Sequence, residues 1–441
     1  MTILARADAI TNRSVVVTGI GLWTPLGSDR ESTWQSLLAG RSASRWLVPP
    51  HWTGKTPVAG APCEVPIECL NQGLDPVIAL ALRAASEAIA DAGLDDAHDD
   101  AYAGDLEGRV LSRESTGVVF GTSKGGLHTA SRLLQAEMLP AGMRQDSGLP
   151  RDRTWLDVWP NSAASSLAAR YDCRGPVIAP VAACATGLAA CLRGFELIRD
   201  GRCDVVIAGS SDASLQPAIL GSFRRLGVMA DVCEDPSLAC RPFDKTRSGF
   251  VVGEGAGCLI LESHDHACSR GARWYAEWLG GRMLADPAGL TQLDSAGTSL
   301  QRLLRDLLRT TDGLPDYINL HGTATIPNDR VESHAIRAVL GRDADAMACS
   351  SLKGGLGHLL GAAGSVELAA TLLAIRDQTV PPTVNLITPD PELDLDFTPV
   401  RSRRRQIARA WKLSLGFGGH LAAACVSRLA GTGDRTRTAI D

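Results

Sequence analysis

Four glycine-rich stretches of the sequence carry side chains that could perform acyl-transfer chemistry. They read VAACATGLAAC, NLHGTATIPNDRVE, SSLKGGLGHLLGAAGSVE and LSLGFGGHLA. The side chains of interest in them are Cys184, His321, Thr323, Thr325, Lys353, His358, Glu367 and Phe417. Small residues around Cys184 leave room for a bulky group to reach a thiol, and the start of a helix there favours the thiolate. One cysteine and two histidines from separate loops are the residue types that thiol-based acyl transfer uses.

The two histidines could act on a single carbonyl oxygen. If His321 and His358 are neutral hydrogen-bond donors, they could stabilise an enolate after a carboxyl group leaves. Lys353 would keep the local field positive, and Glu367 would pair with it so that the charge is not stranded. Backbone N–H groups near Phe417 and the cysteine could form a second oxyanion hole.

Each of these residues also has a purely structural explanation when taken alone. A buried cysteine often only packs, a histidine at a strand end can satisfy turn carbonyls, and a single lysine is usually solvated. Asp329 and Glu332 open a helix, where carboxylates favour the dipole whether or not they support catalysis. Their joint appearance in glycine-framed loops is what favours a catalytic site.

The elements around these loops indicate an α/β protein with two halves. The 441 residues are 45% hydrophobic, which supports a sizeable core and two or three domains. Strands and helices alternate from Arg13, and the order restarts near Trp274. We predict a first half at 1–263 with the cysteine, an irregular insert at about 128–160, a second half at 264–429 with the histidines and lysine, and a flexible tail at 430–441.

Composition argues against several other classes. A formal net charge of −5 gives no reason to expect nucleic-acid binding. No run of 18 apolar residues predicts a membrane span, and no signal peptide is evident. Twelve cysteines show neither CxxC pairs nor zinc spacing, so we expect reduced thiols, no metal site and a cytoplasmic protein.

Seven ordered motifs resemble the β-ketoacyl-[acyl-carrier-protein] synthases, elongating condensing enzymes of the thiolase superfamily. They are VVVTGIGLWTPLG, PNSAASSLAARYDCRGP, ACATGLAA, RPFDKTRSGFVVGEGAGCLILE, HGTATIPND, KGGLGHLLGAAGSVE and GFGG. The resemblance implies a thiolase-like five-layered αβαβα fold built from two pseudo-duplicated halves. It also implies a dimer, and no cofactor beyond the phosphopantetheine of a carrier protein that brings the substrates.

The same resemblance implies a role for each catalytic candidate. Cys184 is implied as the acyl-accepting nucleophile, and His321 and His358 as the groups that support decarboxylation and stabilise the enolate. Lys353 is implied as the lysine of the site, held by Glu367. Supporting partners are implied at Asp329 and Glu332, pantetheine contacts at Thr323 and Thr325, and a gating loop at Phe417 and Gly418.

Three departures from the family pattern bear on substrate and carrier. His420 stands where the family commonly has threonine, and residues 354–356 replace Ser-Met-Thr. The stretch 69–82 lacks the basic residues that dock an acidic carrier in the family. Docking would then use another surface, such as Arg224 and Arg225, or a partner subunit would cover this one.

We therefore expect decarboxylative Claisen condensation of an acyl thioester on Cys184 with malonyl-[acyl-carrier-protein], giving 3-oxoacyl-[acyl-carrier-protein] in fatty-acid or polyketide biosynthesis. The expected partners are the acyl carrier protein, its acyl and malonyl thioesters, and a second chain in a homodimer or heterodimer. Two alternatives remain open: an acyltransferase that does not condense, and a low-activity partner subunit of a heterodimeric ketosynthase. A thiolase is disfavoured, since Cys425 lacks a glycine motif.

Overall fold

The structure is a computed structural model that describes residues 12–48, 52, 54, 56–65, 73–94, 113–138 and 154–428. The predicted tail at 430–441 lies outside the described residues. So do residues 139–153 of the predicted insert and residues 69–72 of the stretch that lacks basic residues.

The strands among the described residues alternate with helices in both halves of the chain. In chain order they are β1 (Val15–Trp23), β2 (Arg45–Trp46), β3 (Ala59–Ala61), β4 (Thr116–Thr122), β5 (Val177–Ile178), β6 (Val205–Asp212), β7 (Val252–Gly253), β8 (Gly255–Ser263), β9 (Ala276–Ala285), β10 (Tyr317–Asn319), β11 (Ala348–Ser350), β12 (Thr379–Val380), β13 (Arg403–Arg404), β14 (Arg409–Gly416) and β15 (His420–Ser427).

The described helices are named in the same way. They are α1 (Arg30–Leu38), α2 (Pro76–Asp91), α3 (Leu127–Glu137), α4 (Thr154–Asp157), α5 (Ser162–Arg170), α6 (Thr186–Arg199), α7 (Pro217–Arg225), α8 (His264–Ser269), α9 (Thr298–Thr311), α10 (Ile326–Leu340), α11 (Lys353–Leu356) and α12 (Ala363–Asp377). Short 3₁₀ turns at Ala183–Ala185 and Leu360–Ala362 lead into α6 and α12.

The large sheet consists of two halves with the same topology. Its order is β11-β10-β14-β15-β9-β1-β8-β6-β4-β5. If the five strands of each half are counted along the chain, both halves have the order 1-5-4-2-3. In both, the first and fourth strands pair antiparallel with the fifth, and the second pairs parallel with the third and fourth. This confirms the two pseudo-duplicated halves, which β1 and β9 join by antiparallel pairing.

Five layers follow from the way the side chains alternate along the strands. In β4, Val118 and Phe120 pack outward on α2 and α5, whereas Val119 packs inward on α6. In β10, Ile318 packs outward on α9 and α10, whereas Tyr317 packs inward on α12. Helices α6 and α12 therefore form the middle layer of an αβαβα fold, which confirms the predicted architecture.

The prediction of an irregular insert at about 128–160 is wrong for the first part of that range. Helix α3 occupies Leu127–Glu137, and the short α4 follows at Thr154–Asp157. The sequence LHTASRLLQAE contains neither proline nor glycine and is rich in Leu, Ala, Arg and Gln, whose helix propensity outweighs the glycines before it.

The two middle helices touch backbone to backbone at a pair of glycines. A Cβ added to Gly187 would lie 2.5 Å from the backbone N of Ser365, and one added to Gly364 would lie 2.3 Å from the backbone N of Leu188. The hydroxyls of Ser210 and Ser365 form a hydrogen bond of 2.7 Å beside this contact. Small residues at the start of both helices are thus required by their close approach, which sets the two preceding turns side by side.

We expect Gly187→Ala and Gly364→Ala each to destabilise the fold by about 1–3 kcal/mol, because the new methyl group overlaps backbone atoms of the facing helix. Gly221→Ala is the matched control: Gly221 also lies in a helix, but nothing lies within 4 Å of its Cβ position. Urea unfolding of the three variants measures the difference. Wild-type stability of the first two variants would contradict the close contact.

Candidate active site

Cys184 lies in the turn before α6, held by the backbone of the last loop of the second half. The turn begins with a strained residue, since Ala183 adopts a left-handed φ of 47°. A Cβ added to Gly416 would lie 2.6 Å from the carbonyl oxygen of Ala182, so only glycine lets β14 approach this turn. The Phe417 N–H, just beyond, donates to the Cys184 sulfur.

The thiol of Cys184 is protonated at neutral pH. Burial raises its pKa to about 11, although the charges of Lys124 and Lys353 and the hydrogen bond from Phe417 act in the opposite direction. The expectation that the thiolate is favoured is therefore not met, because burial raises the thiol pKa by more than the two lysines and the Phe417 hydrogen bond lower it. Attack on a thioester must be accompanied by loss of the sulfur-bound proton.

His321 follows β10 and is fixed through its backbone by a buried carboxylate. Glu332 accepts hydrogen bonds from the N–H of His321 at 2.6 Å and of Gly322 at 2.8 Å. Burial raises the pKa of Glu332 to about 7. Glu332, which the sequence predicted near the start of a helix, thus holds the His321 loop from the first turns of α10.

Asp329 braces a neighbouring loop in a similar way. Its Oδ2 accepts a hydrogen bond from the Phe243 N–H at 2.9 Å and lies 3.5 Å from the Nε of Arg247. Burial raises the pKa of Asp329 to about 6. Both carboxylates are fully buried and touch the backbone of loops, which is the position a supporting residue would occupy.

His358 is anchored by the first half of the protein although it belongs to the second. Its N–H donates to the Val251 carbonyl at 2.6 Å, and its own carbonyl accepts from the Gly253 N–H at 2.9 Å. The ring of Phe250 packs edge-on against the imidazole, with centroids 5.1 Å apart. Phe250 and Cys184 belong to the same buried apolar cluster, and the charges of Lys124 and Lys353 act on both the thiol and this imidazole, so the two groups lie in one region of the protein.

The hydrogen bonds at Nδ1 identify the tautomer of both histidines. The Leu360 N–H lies 3.3 Å from Nδ1 of His358, and the Lys353 ammonium lies 3.5 Å from Nδ1 of His321. Both groups can only donate, so each Nδ1 accepts and each Nε2 carries the proton. The ring centroids are 5.4 Å apart at 80°. Among the described residues, neither Nε2–H has a hydrogen-bond partner.

Both imidazoles are neutral. Burial lowers the pKa of His321 and of His358 well below the usual value, and the nearby lysine charges lower it further. Two neutral Nε2–H donors in a dry site can stabilise negative charge on an oxygen without giving up a proton.

Behind the histidines, two buried lysines share one glutamate. Lys353 Nζ lies 2.7 Å from Oε1 of Glu367 and also donates to the backbone carbonyl of His321. Lys412 Nζ lies 2.6 Å from Oε2 of the same carboxylate. Both lysines are fully buried. The pair of Lys353 and Glu367 was anticipated from the sequence, whereas Lys412 was missed.

Lys353 lies in the single helical turn α11 rather than in an open loop. A Cβ added to Gly354 would lie 2.3 Å from the carbonyl oxygen of Val384, and one added to Gly355 would lie 2.9 Å from that of Arg41. These two glycines therefore permit tight packing of the lysine turn.

Lys124 was also missed by sequence reasoning. It follows β4 in the GTSKGG stretch, where its Nζ donates to Ser123 at 2.7 Å and to Ser214 at 3.2 Å and lies 3.9 Å from Asp212. Asp212 in turn accepts from the Gly361 N–H at 3.0 Å, which ties this cluster to the turn after His358. A lysine at the carboxyl end of a parallel strand was the available signal.

The predicted substrate-binding residues lie in the loop that carries His321 and in the loop after β14. Thr323 and Thr325 bond to each other through their hydroxyls at 2.8 Å. Phe417 is half-buried, and the exposed Gly418 has a φ of 85°. Nε2 of His420 lies 3.3 Å from the position of a Cβ on Gly418, so the imidazole fills the space over this turn.

Within residues that the structure describes, no group of three or more His, Cys, Asp or Glu side chains could hold a metal ion. No described helix is long and apolar enough to cross a membrane.

Two family models match consecutive parts of the chain. The N-terminal domain of beta-ketoacyl synthases matches residues 12–267, and the C-terminal domain matches residues 275–387. A putative polyketide beta-ketoacyl synthase 1 from Streptomyces halstedii is 35% identical, over 92% of this chain and 96% of that protein. A 3-oxoacyl-[acyl-carrier-protein] synthase 2 from Coxiella burnetii is 33% identical, over 95% and 99%.

Solved structures match over nearly the whole chain. A ketosynthase bound to a hexaketide, in complex with its type II polyketide synthase acyl-carrier protein, has a TM-score of 0.83 at 31% identity. A beta-ketoacyl synthase from Burkholderia phymatum has a TM-score of 0.82 at 29% identity. In both cases the match covers 95% of this chain and 100% of the other.

We expect alkylation of Cys184 by iodoacetamide to speed up about tenfold for each pH unit between pH 7 and 9, because the thiolate fraction rises toward a pKa of about 11. Lys124→Met should slow the alkylation on the order of threefold to tenfold at fixed pH, since a charge that lowers the thiol pKa is lost. Lys124→Arg keeps the charge and serves as the control. Peptide mass spectrometry assigns the label, and an unchanged rate in Lys124→Met would contradict the electrostatic link.

Proposed function

The chain belongs to the beta-ketoacyl synthase family of condensing enzymes, and we propose that it joins an acyl group held on Cys184 to malonyl-[acyl-carrier-protein] with loss of CO₂. The observation that supports this proposal is the arrangement of one buried thiol beside two neutral Nε2–H donors and a buried lysine pair. The product is a 3-oxoacyl-[acyl-carrier-protein] two carbons longer than the acyl group, in fatty-acid or polyketide biosynthesis.

The first half-reaction loads the enzyme. The Cys184 sulfur attacks the carbonyl carbon of an acyl thioester, the bond to the carrier's pantetheine sulfur breaks, and the cysteine proton goes to the departing thiol. The Phe417 N–H, which contacts the free thiol, donates to the carbonyl oxygen while it carries negative charge. A high thiol pKa suits this step, since the proton is needed by the leaving group.

The second half-reaction uses the two imidazoles. The carbon–carbon bond to the malonyl carboxylate breaks, CO₂ leaves, and the electron pair becomes an enolate whose oxygen accepts hydrogen bonds from Nε2–H of His321 and His358. The enolate carbon attacks the acyl carbon on Cys184, the carbon–sulfur bond breaks, and the thiolate takes a proton from solvent. Lys353 and Glu367 hold His321 in its donor tautomer throughout.

The partners in the proposal follow from surface features. The pantetheine of an acyl carrier protein brings both thioesters, so the reaction needs no other cofactor, and its arm passes Thr323 and Thr325. A dimer is proposed through the sheet edge at β5, where Val177 is exposed. The eleven described cysteines are all free, which supports a cytoplasmic location.

We expect Cys184→Ala to abolish acyl loading and chain extension, because no nucleophile remains. Intact-mass spectrometry after incubation with a panel of acyl-carrier proteins measures loading and shows which chain lengths fit. Cys191→Ala is the matched control, since Cys191 lies fully buried in α6 and only packs. Extension of acyl chains by Cys184→Ala would contradict the proposal.

Release of CO₂ separates condensation from simple acyl transfer. We expect the wild-type chain to release CO₂ from malonyl-[acyl-carrier-protein], and Cys184→Gln to do so without condensing. If the purified wild type accepts acyl groups but releases no CO₂, the enzyme transfers without condensing. If it does neither, the chain is a low-activity subunit that depends on a partner.

Arg224 and Arg225 are the proposed contact for an acidic carrier. They close α7, which packs through Phe223 against Phe250 at 5.5 Å, and Phe250 in turn contacts His358. Both arginines are exposed. An acidic protein bound there therefore lies directly outside the catalytic loops.

Reversing these two charges is expected to weaken carrier binding. The double variant Arg224→Glu, Arg225→Glu should raise KM for carrier-bound substrate by about tenfold or more at low salt, with kcat nearly unchanged and the effect fading as salt rises. Activity with a small N-acetylcysteamine thioester is the control and should stay constant. Equal KM for carrier substrate in variant and wild type would place docking elsewhere.

A further inference from the structure

Lys412 is a buried ionisable group that has no role in the acyl-loading step proposed above. It lies in β14 between the buried Trp411 and Leu413, and strand alternation turns it inward, on the same face as Ala410 and Ser414. No part of its side chain is exposed. Its ammonium also donates to the backbone carbonyls of Leu320 and Leu413, in addition to its contact with Glu367.

The fold alone gives little reason for this second lysine. Glu367 already has a partner in Lys353 at 2.7 Å, so one carboxylate faces two buried cations. Burying a charge is costly, and an apolar side chain of similar length would leave the first pair intact. Besides Glu367, Glu332 is the other carboxylate near Lys412, and burial raises its pKa to about 7, so at pH 7 it compensates the charge of Lys412 only in part.

The charge of Lys412 acts on the two imidazoles that take part in the proposed decarboxylation. It is one of the charges that lower the pKa of both His321 and His358. It also occupies Oε2 of Glu367, so Oε1 remains with Lys353, whose ammonium is the donor to His321 Nδ1. Cys184 responds instead to Lys124 and Lys353. Lys412 therefore ranks among the charges that act most strongly on the imidazoles, whereas Lys124 and Lys353 are the charges that lower the pKa of the thiol most.

We propose that Lys412 is a positioning residue for the decarboxylation step, where it holds the second oxygen of Glu367 and keeps a net positive charge behind the two imidazoles on which the enolate forms. The inference rests on the proposed condensation and deepens it. Under this proposal, Lys412 stabilises the enolate, whereas acyl loading of Cys184 does not depend on it.

The test compares loading with CO₂ release in the full chain. Lys412→Met should lower CO₂ release from malonyl-[acyl-carrier-protein] by about tenfold or more, since a charge in a dry site is lost. Loading of Cys184, followed by intact mass, should stay within about twofold of the wild type. Ser414→Ala is the matched control: Ser414 is buried two residues further along the same face, carries no charge and should leave both steps unchanged.

The pH profile distinguishes a charge from mere packing. Burial lowers the pKa of Lys412 to about 8, with Lys353 lowering and Glu367 and Glu332 raising it. CO₂ release should therefore fall as pH rises through about 8, where the ammonium loses its proton. Both histidines are already neutral there. Lys412→Arg should remove this alkaline decline, because a guanidinium does not titrate in that range.

Each outcome decides the matter. Wild-type CO₂ release in Lys412→Met, or an alkaline decline that persists at the same pH in Lys412→Arg, would overturn the role of Lys412 and leave the condensation intact. A persistent decline would belong to another group, such as Glu332. If Lys412→Met does not fold, the profile of Lys412→Arg still decides. Absence of CO₂ release by the wild type would instead remove the proposed function itself.

Discussion

The backbone contact between α6 and α12 is the constraint on which the active site depends. Each helix starts directly after a turn that carries or adjoins a reactive group, Cys184 in one half and His358 in the other. Any side chain at Gly187 or Gly364 would push the helices apart, since the nearest backbone atoms lie at 2.5 and 2.3 Å from the Cβ positions. The small residues of these helices therefore fix the distance between thiol and imidazole, as well as filling the core.

Desolvation in the same dry centre sets the charge states. It raises the pKa of Cys184 and lowers those of both histidines, so the three groups are neutral at pH 7. The compensating charges lie one layer further back, as two lysines on one carboxylate. In the proposed reaction, the enolate would therefore accept hydrogen bonds from neutral donors, with the positive charges behind them and no cation in a position to give the enolate oxygen its proton.

Much of this arrangement could be predicted from the sequence, because it is local. Hydrophobic runs gave the strands, and glycine framing identified the loops of Cys184, His321 and His358. What the sequence could not give depends on contacts between distant segments. The turn of Lys353 looked like a loop because nothing local shows that Gly354 packs on Val384. The ionisation of Cys184 was misjudged because its burial comes from other segments, whereas the helix dipole is visible locally.

Lys412 illustrates a signal that was present and not used. A lysine inside the apolar run WKLSLG indicates a buried ion pair, because strand alternation places it on one of two buried faces and a buried charge needs a partner. The common topology of the halves makes the same point for Lys124. It follows the second strand of the first half, as His321 follows the second strand of the other, and both reach the centre from the carboxyl end of a parallel strand. There Lys124 pairs with Asp212 near the thiol, whereas two cations share Glu367 near the imidazoles. In the proposed mechanism, the duplicated frame positions both half-reactions, and the buried charge differs between them. A nearly balanced pair lies beside the thiol that would be acylated, and an excess of positive charge lies behind the imidazoles where the malonyl carboxylate would become an enolate.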